Sequence, residues 1–488
     1  MLSKLLALAI YVAVLAAIGY YASRRTRNIS DYFAGGKNMG FWAVAFSSRA
    51  TGESAWLLLG LTGFGAAFGV QGFWIVLGEV LGVSLAWLWL SRRFKQLTDQ
   101  YDSITVPDFF EAHLKDESQN LRRIAAGALL VFVPIYVSAQ IHATGRAVEA
   151  FLDWNYYLGA LIGFLIVLFY VTRGGFIAVV WSDVFQGTLM FFALVALPIV
   201  GVIAGGGVGA VYDRIQADYP LLLDWTGGEG VNSLSIAGII GLVAIGIGFL
   251  GSPQVFVRFI ALRSENEIKR GAAVAITWTV FACGGAVLAG MVGRAVLIGD
   301  LGSDSENVLP RMAEELMPPF ITGLYITIVL SAIMSTIDSL LVVASSAAVR
   351  DWYQKIRNPD MSEEQLIRMC RKVTVGLAFV ALAVAMGVSL ATEGQGVFWF
   401  VIFGWSGIAA TFCPVVILSL TWRGLNAVGA GAGMIAGFAS VPFFKFVGPN
   451  IAGIGPYIAR VQELAPAFAV SFLAAILFSR FSGPGARA

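Results

Sequence analysis

A cluster of oxygen-bearing residues lies in the middle of an apolar segment at residues 320–348. Ser335 and Thr336 follow Ala332 by three and four residues, so on a helix their hydroxyls and the Ala332 carbonyl can point at one spot. Uncharged oxygens, without sulfur or imidazole, suit a small hard cation. From Ser335 the same spacing reaches Asp338 and Ser339, which gives a second position with a carboxylate. Alternatively, the hydroxyls bond back to carbonyls four residues earlier, which does not account for Asp338.

A second polar interruption lies within the apolar segment at residues 40–60. Residues 46–56 read FSSRATGESAW and place Ser, Arg, Thr, Gly and Glu halfway along the segment. Such a segment would expose backbone carbonyls if it unwound, and unwound carbonyls at the middle of a membrane hold cations in many transporters. The alternative is that Arg49 and Glu53, which are four residues apart, form an ion pair across one helical turn.

Glycine and proline interrupt a third apolar segment at residues 246–253, which read GIGFLGSP. The pattern matches Gly-x-Gly-x-x-Gly, but no predicted strand precedes it, so it is weak support for a dinucleotide-binding loop. Three glycines and a proline remove backbone restraint and one hydrogen-bond donor, which favours a broken helix with free carbonyls. Close packing of glycines between helices is the alternative interpretation.

Two acidic residues also fall inside apolar segments. Asp183 lies near one end of the segment at residues 177–204, where it could bind a ligand or cap the start of the helix. Glu79 is a further buried acid to which the sequence assigns no specific role. Isolated tryptophans such as Trp405 are more typical of packing or of the membrane interface than of ligand binding.

These segments belong to a chain with the composition of a membrane protein. Of its 488 residues, 58% are hydrophobic and 13% are charged, against roughly 25% charged in a soluble protein. Apolar runs long enough to cross a bilayer recur from end to end, which predicts an all-α, polytopic membrane protein. The formal charge of +2 and the lack of a polybasic tail or basic face argue against a nucleic-acid partner. The sequence offers neither a cysteine and histidine metal cluster nor a nucleophile and base pair, so we expect no enzyme.

Apolar windows between charge clusters predict thirteen membrane-spanning helices. Their bounds are 3–22, 40–60, 66–90, 124–149, 156–172, 177–204, 235–261, 272–298, 320–348, 373–391, 396–421, 427–446 and 464–479. We expect an anchor helix and loop at 1–39, a core at 40–421 with halves at about 40–204 and 235–421, and two C-terminal helices with a short tail at 422–488. Most of the 32 Lys and Arg residues then lie in cytoplasmic loops if the N-terminus is outside and the C-terminus inside.

Several segments, taken in order, resemble the sodium/solute symporter family and within it most closely the bacterial proline carriers. They are SDYFAGG (30–36), WLLLGL (56–61), TVPDFF (105–110), WSDVFQ (181–186), GSPQVFVR (251–258), MST (334–336) and GMIAG (433–437). The resemblance implies an inverted-repeat (5+5) core with discontinuous helices, in which helices two to six and seven to eleven are related by a pseudo-two-fold axis. The interruptions found above lie in helices two and seven, the first of each half.

The resemblance also implies site residues, position by position. Implied sodium ligands are the carbonyls of Ala50, Glu53 and Ala332 and the hydroxyls of Ser335 and Thr336. Relatives with a second sodium use positions that match Asp183, Ser335, Asp338 and Ser339. Implied substrate contacts are Ser54, Ala55, Tyr136, Ile245 and Phe249.

Three positions depart from the family pattern. Ile245 stands where a tryptophan is expected and Phe249 where a tyrosine is expected. Gly52 stands where an aspartate is expected, and the unexpected Glu53 follows it. Losing an aromatic wall and a hydroxyl changes both shape and hydrogen bonding, which can discriminate strongly between substrates. The resemblance therefore predicts a sodium-coupled symporter of a small organic solute, proline or a related amino or carboxylic acid, with a sodium ion as cofactor.

Two other functions are compatible with the sequence. A proton-coupled symporter of the same fold could use Glu53, Asp183 and Asp338 as titrating groups. A membrane nutrient receptor would be supported by a long cytoplasmic domain, whereas eight residues follow Arg480. In each case we expect a multi-pass protein of the cell (inner) membrane, with lipid and a small solute as its partners.

Overall fold

The protein is all-helical, as its composition predicts. The computed structural model describes residues 1–25, 28–297, 304–391 and 396–483, and of residues 23, 167 and 169–174 it describes the backbone alone. The α-helices are Leu2–Ser23 (α1), Ile29–Ala34 (α2), Phe41–Gly52 (α3), Thr62–Phe68 (α4), Gly72–Leu85 (α5), Ser91–Gln100 (α6), Val106–Leu114 (α7), Asn120–Leu152 (α8), Tyr156–Ala204 (α9), Val208–Asp218 (α10), Ser233–Ala244 (α11), Pro253–Ala261 (α12), Ile268–Val296 (α13), Val308–Leu316 (α14), Pro319–Ser346 (α15), Glu363–Ala391 (α16), Val397–Thr421 (α17), Ala427–Pro442 (α18), Gly455–Val461 (α19) and Leu464–Phe481 (α20).

Shorter helical stretches extend or join these elements. Four are π-helical, namely Trp56–Leu61, Ala86–Leu90, Ala347–Arg357 and Phe443–Val447. The 3₁₀ stretches are Gly35–Lys37, Gly69–Gln71, Pro220–Leu223, Ile245–Leu250, Glu265–Glu267, Ser305–Asn307 and Gly448–Asn450. The π-helical stretches continue the membrane helices beside them, whereas most 3₁₀ stretches mark their ends.

Eleven of the described helices are long and apolar enough to cross a membrane, so the predicted count of thirteen is not confirmed. Part of the difference has a physical cause. Phe41–Gly52 is only 12 residues long because the helix breaks after it, and its continuation joins the third predicted span in one stretch, Trp56–Gln100. The fifth predicted span, 156–172, belongs to α9 but includes residues 167 and 169–172, whose side chains lie outside the described part of the chain.

Some helix ends differ from their predicted bounds. The second predicted helix continues to Phe68 and then turns at Gly69, whose positive φ of 57° favours glycine. Helix α16 begins at Glu363, ten residues before the predicted start. Its first turns are polar, so the hydropathy window did not include them. Hydropathy windows also miss α7, a helix in a polar connection whose start is capped by the Thr105 hydroxyl.

Helices two and seven are broken, as their sequences predict. Helix α3 ends at Glu53, which has a non-helical backbone (φ −101°, ψ 86°), and helical structure resumes at Trp56. In the other half, α11 passes into a 3₁₀ turn over Ile245–Leu250, and α12 starts at Pro253. Since neither break continues the α-helical hydrogen-bond ladder, both leave backbone carbonyls inside the bundle without a backbone partner in their own helix.

The two broken helices are joined by backbone hydrogen bonds at the ends that lie away from the breaks. Met39, just before α3, donates its N–H to the Ala261 carbonyl at 2.9 Å and accepts the Arg263 N–H at 2.8 Å. This pairing forms an isolated parallel β-bridge between Met39 and Leu262. The start of α3 is therefore attached to the end of α12.

Glycines bring α5 into backbone contact with the seventh helix. A Cβ atom on Gly246 would lie 1.9 Å from the Gly78 carbonyl oxygen, and one on Gly82 would lie 2.0 Å from the Gly246 carbonyl oxygen. Gly246 therefore belongs both to the helix break and to a close glycine contact, so the two interpretations of this segment hold together.

We expect Gly246→Ala to destabilise the protein by about 1–3 kcal/mol, since its methyl group overlaps backbone that cannot move without shifting α5. Gly238→Ala, in α11, is the matched control, because a Cβ there meets no atom within 4 Å. The measurement is the midpoint of thermal unfolding in detergent. Equal unfolding midpoints for the two variants would contradict the close backbone contact between Gly246 and Gly78.

Candidate functional site

The end of α3 meets the middle of α15 at a group of buried oxygens. Ser335 Oγ lies 2.9 Å from the Ala50 carbonyl oxygen and 3.1 Å from that of Ala332. Thr336 Oγ1 donates to the Thr51 carbonyl at 3.2 Å. Oxygens about 3 Å apart are close enough to share one calcium-sized hard cation, whose ligands lie at roughly 2.3–2.6 Å. The structure thus brings together three of the five predicted sodium-ligand oxygens, and it places the fourth, the Thr336 hydroxyl, against the neighbouring Thr51 carbonyl.

Glu53, the fifth predicted ligand, is the residue at which α3 ends. Its N–H still donates to the Arg49 carbonyl at 2.8 Å. Its own carbonyl lies beyond the last helical residue, where the backbone is no longer helical. Its side chain forms an ion pair with Arg49. The helix break and the Arg49–Glu53 pair, which the sequence offered as alternatives, therefore occur together.

The carbonyls at this end of α3 are available because of where the helix stops. The last four carbonyls of an α-helix have no partner within the helix. Ala50 and Thr51 face the hydroxyls of α15, and the Gly52 carbonyl accepts the indole N–H of Trp56 at 3.2 Å. The fit to a cation follows from the oxygen-only donor set, and the ligand role of each residue stays a prediction.

The predicted second sodium position contains an arginine. Arg258, from α12, donates to Asp183 Oδ2 at 3.1 Å and to Ser339 Oγ at 2.5 Å. It also donates to Ser47 Oγ at 3.1 Å and to Thr51 Oγ1 at 2.6 Å. A guanidinium therefore supplies positive charge at the centre of the Asp183 and Ser339 group.

Asp183 belongs to this network and does not cap a helix start. It lies two turns after the kink of α9 at Gly175, is fully buried, and accepts the Ser47 hydroxyl at 2.6 Å. Asp338 is also fully buried and lies near Arg258. Within the described residues, Asp183 Oδ1 and Asp338 Oδ2 have no hydrogen-bond partner. Ser339 bonds back to the Ser335 carbonyl at 2.8 Å, as the alternative interpretation of its hydroxyl proposed.

The predicted substrate contacts are buried around the two breaks. Ser54, Ala55, Tyr136, Ile245 and Phe249 are each 4% exposed or less. Two residues that the sequence did not single out for this site connect them. Gln140 donates to Ser54 Oγ at 3.0 Å and accepts the Ala55 N–H at 3.2 Å.

Trp405, from α17, is the second connecting residue. Its indole N–H donates to the Ile245 carbonyl at 3.0 Å, and its ring lies 5.0 Å from that of Phe249 and 6.5 Å from that of Tyr136. An aromatic wall is thus present although residue 245 is not a tryptophan. These contacts agree with the interpretation of Trp405 as a packing residue, and its place beside the predicted substrate contacts depends on helices distant in sequence.

The departure at residue 52 also has a physical reason. A Cβ atom on Gly52 would lie 2.5 Å from Cε1 of Phe249. The expected aspartate therefore does not fit against this ring, and the carboxylate is found instead on Glu53.

The TVPDFF segment at residues 105–110 lies outside this site. Asp108 accepts hydrogen bonds from Arg122 at 2.7 Å and from Arg350 at 2.5 Å, and Thr105 donates to Asp351 at 3.0 Å. Burial alone would raise the pKa of Asp108, but the positive charges of Arg350 and Arg122 outweigh it and hold the pKa below its usual range. This network joins α7 to the start of α8 and to the π-helical stretch Ala347–Arg357.

Replacing both Ser335 and Thr336 with alanine should raise the sodium concentration for half-maximal effect at least about tenfold, since each lost oxygen contributes on the order of 1 kcal/mol. The readout is thermal stabilisation by sodium chloride with potassium chloride as the reference. Ser345→Ala is the matched control, because among the described residues that buried hydroxyl donates only to the Val342 carbonyl of its own helix. An unchanged sodium dependence in the double variant would contradict the site.

Arg258 and Asp183 should show strong energetic coupling. Each single variant, Asp183→Asn or Arg258→Gln, leaves a buried charge without its partner, at a cost of about 3–5 kcal/mol. The double variant removes both charges, so its loss of stability should be smaller than the sum of the single losses by at least about 1 kcal/mol. Unfolding midpoints of the four proteins test this, and simple additivity would argue that the pair does not interact.

Comparisons with known proteins agree with this architecture. A solved structure of a Na⁺-coupled sialic acid symporter, in a substrate-bound outward-open state, matches 100% of this chain and 99% of its own, with a TM-score of 0.81 at 20% identity. The likeness shows a shared fold, and it agrees with the predicted all-α core with discontinuous helices.

Sequence comparisons extend over nearly the whole chain. The high-affinity proline transporter PutP of Bacillus subtilis is 36% identical over 465 residues, covering 95% of this chain and 94% of that protein. The sodium/proline symporter of Escherichia coli is 32% identical over 477 residues, covering 96% and 91%. The family model described as the sodium:solute symporter family matches residues 32–437. The chain therefore belongs to the sodium:solute symporter family.

Proposed function

We propose that this multi-pass membrane protein is a sodium-coupled secondary active symporter that imports a small organic solute, proline or a related amino acid. The observation that carries the proposal is the convergence of the Ala50, Ala332 and Ser335 oxygens at the break of α3. The names of its relatives, a proline transporter and a sodium/proline symporter, support the choice of solute.

Ion and solute sites are coupled in this proposal because they share one broken helix. Sodium would hold the free carbonyls of α3 against α15, and the next residues, Ser54 and Ala55, form part of the solute site. Release of the ion would loosen the break and with it the solute contacts. A gradient can drive uptake in this way only if sodium binds the two conformations with different affinity.

One sodium ion is the simplest stoichiometry for this chain. Arg258 already supplies a positive charge to Asp183 and Ser339. A second sodium would have to use the two carboxylate oxygens that lack partners among the described residues, Asp183 Oδ1 and Asp338 Oδ2. In this proposal, Asp183 Oδ1 and Asp338 Oδ2 are the atoms at which a second sodium ion would bind.

We further propose that the protein lies in the inner membrane with its N-terminus outside and its C-terminus in the cytoplasm. The support is the distribution of Lys and Arg, which favours this orientation over its inverse. The solute would then move inward together with sodium, and the regions 1–39, 40–421 and 422–488 would be the anchor, the transporting core and the C-terminal helices.

The test is uptake of labelled proline and other amino acids into proteoliposomes. We expect accumulation above equilibrium with an inward sodium gradient, and only slow equilibration when potassium replaces sodium. Accumulation driven by an inward proton gradient without sodium would identify the proton-coupled alternative. Saturable binding without uptake under either gradient would favour a receptor.

A further inference from the structure

Three charged side chains form a buried cluster beside the solute site. Arg49 and Glu53 come from α3 and Glu79 comes from α5, and each is at most 1% exposed. The Arg49 guanidinium bonds to the Glu53 carboxylate and lies 3.2 Å from Glu79 Oε2. One cation therefore serves two carboxylates, and the ionised cluster has a net charge of −1.

The cluster is incompletely satisfied. Within the described residues, Glu53 Oε2, Glu79 Oε1 and Arg49 Nε have no hydrogen-bond partner. A buried polar atom without a partner costs roughly 1–3 kcal/mol, and more when its group is charged. Two free carboxylate oxygens and one free N–H of a guanidinium indicate a partner that has a positive and a negative group.

The cluster borders the predicted solute contacts directly. The guanidinium carbon of Arg49 lies 4.4 Å from the centre of the Phe249 ring. The Tyr136 hydroxyl interacts with the Ser54 side chain and is close enough to Glu79 for an electrostatic interaction. Residues on both sides of the site thus adjoin the same three charges.

We propose that Arg49, Glu53 and Glu79 recognise a zwitterionic solute. The ammonium group would bind Glu79 Oε1 and Glu53 Oε2, and the carboxylate would bind Arg49 Nε. Since a zwitterion adds no net charge, the remaining −1 would be balanced by the sodium ion at the Ala50 carbonyl, on the same helix. Glu79 is the specificity-determining residue, because it supplies the second carboxylate from a separate helix.

This inference rests on the proposed function, and it makes that function more specific. A carboxylic acid without an amino group would leave the carboxylates unpaired and place its charge beside a negative cluster. An amine without a carboxylate would leave Arg49 Nε unpaired. The site should therefore prefer amino acids over both kinds of analogue, since a site built for a polar group rejects ligands that lack it.

The experiment compares ligands that differ in one charged group. Purified protein at fixed sodium concentration is titrated with proline, cyclopentanecarboxylate and pyrrolidine, and with alanine and propionate, and thermal stabilisation is recorded. In the wild type we expect each analogue to bind at least about tenfold more weakly than its parent amino acid. In Glu79→Gln the ratio for the two analogues without an amino group, cyclopentanecarboxylate and propionate, should fall below about threefold.

Two further variants keep the result interpretable. Glu79→Asp preserves the charge and should preserve the preference for the amino acid. Glu463→Gln is the matched control, because Glu463 is also buried, is paired with Lys445 at 3.3 Å, and has an oxygen without a partner among the described residues. Its ligand preference should equal that of the wild type.

Equal binding of proline and cyclopentanecarboxylate to the wild type would overturn the proposal even if Glu79→Gln fails to fold. An unchanged ratio in a folded Glu79→Gln protein would also overturn it. No gradient is present in this assay. A clear amino acid preference without sodium-driven uptake would therefore contradict the proposed function alone, whereas uptake without the preference would contradict this inference alone.

Discussion

A backbone carbonyl that a broken helix leaves inside a membrane must find a partner within the protein. Lipid offers none, so each such carbonyl has to meet a side chain, an ion or a solute. At the end of α3, the hydroxyls of Ser335 and Thr336 and the indole of Trp56 meet three consecutive carbonyls. The position of α15 against α3, and with it the candidate cation site, follows from that requirement.

The same requirement applies with more force to charge. Arg49 and Arg258 are both buried near the breaks. Arg49 contacts the carboxylates of Glu53 and Glu79, whereas Arg258 contacts Asp183 and hydroxyls from other helices. Isolated charges in such a position are very costly, so partners from several helices have to be present at once. The two arginines therefore act as centres around which α3, α5, α9, α12 and α15 are arranged.

Local signals explain what could be predicted from the sequence. The breaks at Glu53 and at Ile245–Leu250 follow from polar and glycine-rich runs, and the group on α15 follows from helical spacing. The partners of these residues could not be predicted in that way. Gln140, Trp405 and Arg258 have no spacing pattern that marks them, and their contacts depend on how distant helices pack. Part of the difference in span count has a similar reason, because a broken helix no longer forms one long apolar stretch.

The backbone bonds around Met39 have a mechanical consequence. They fasten the start of α3 to the end of α12, so the two half-helices are hinged together at one end while their other ends lie at the breaks. Arg258 on α12 holds Thr51 on α3 across the gap between them. A tilt of α3 at Ala50 would therefore also move Arg258 and change its contact with Asp183. Because the hydrogen bonds at Met39 join main-chain atoms, the side chains there can be substituted without removing the connection between α3 and α12.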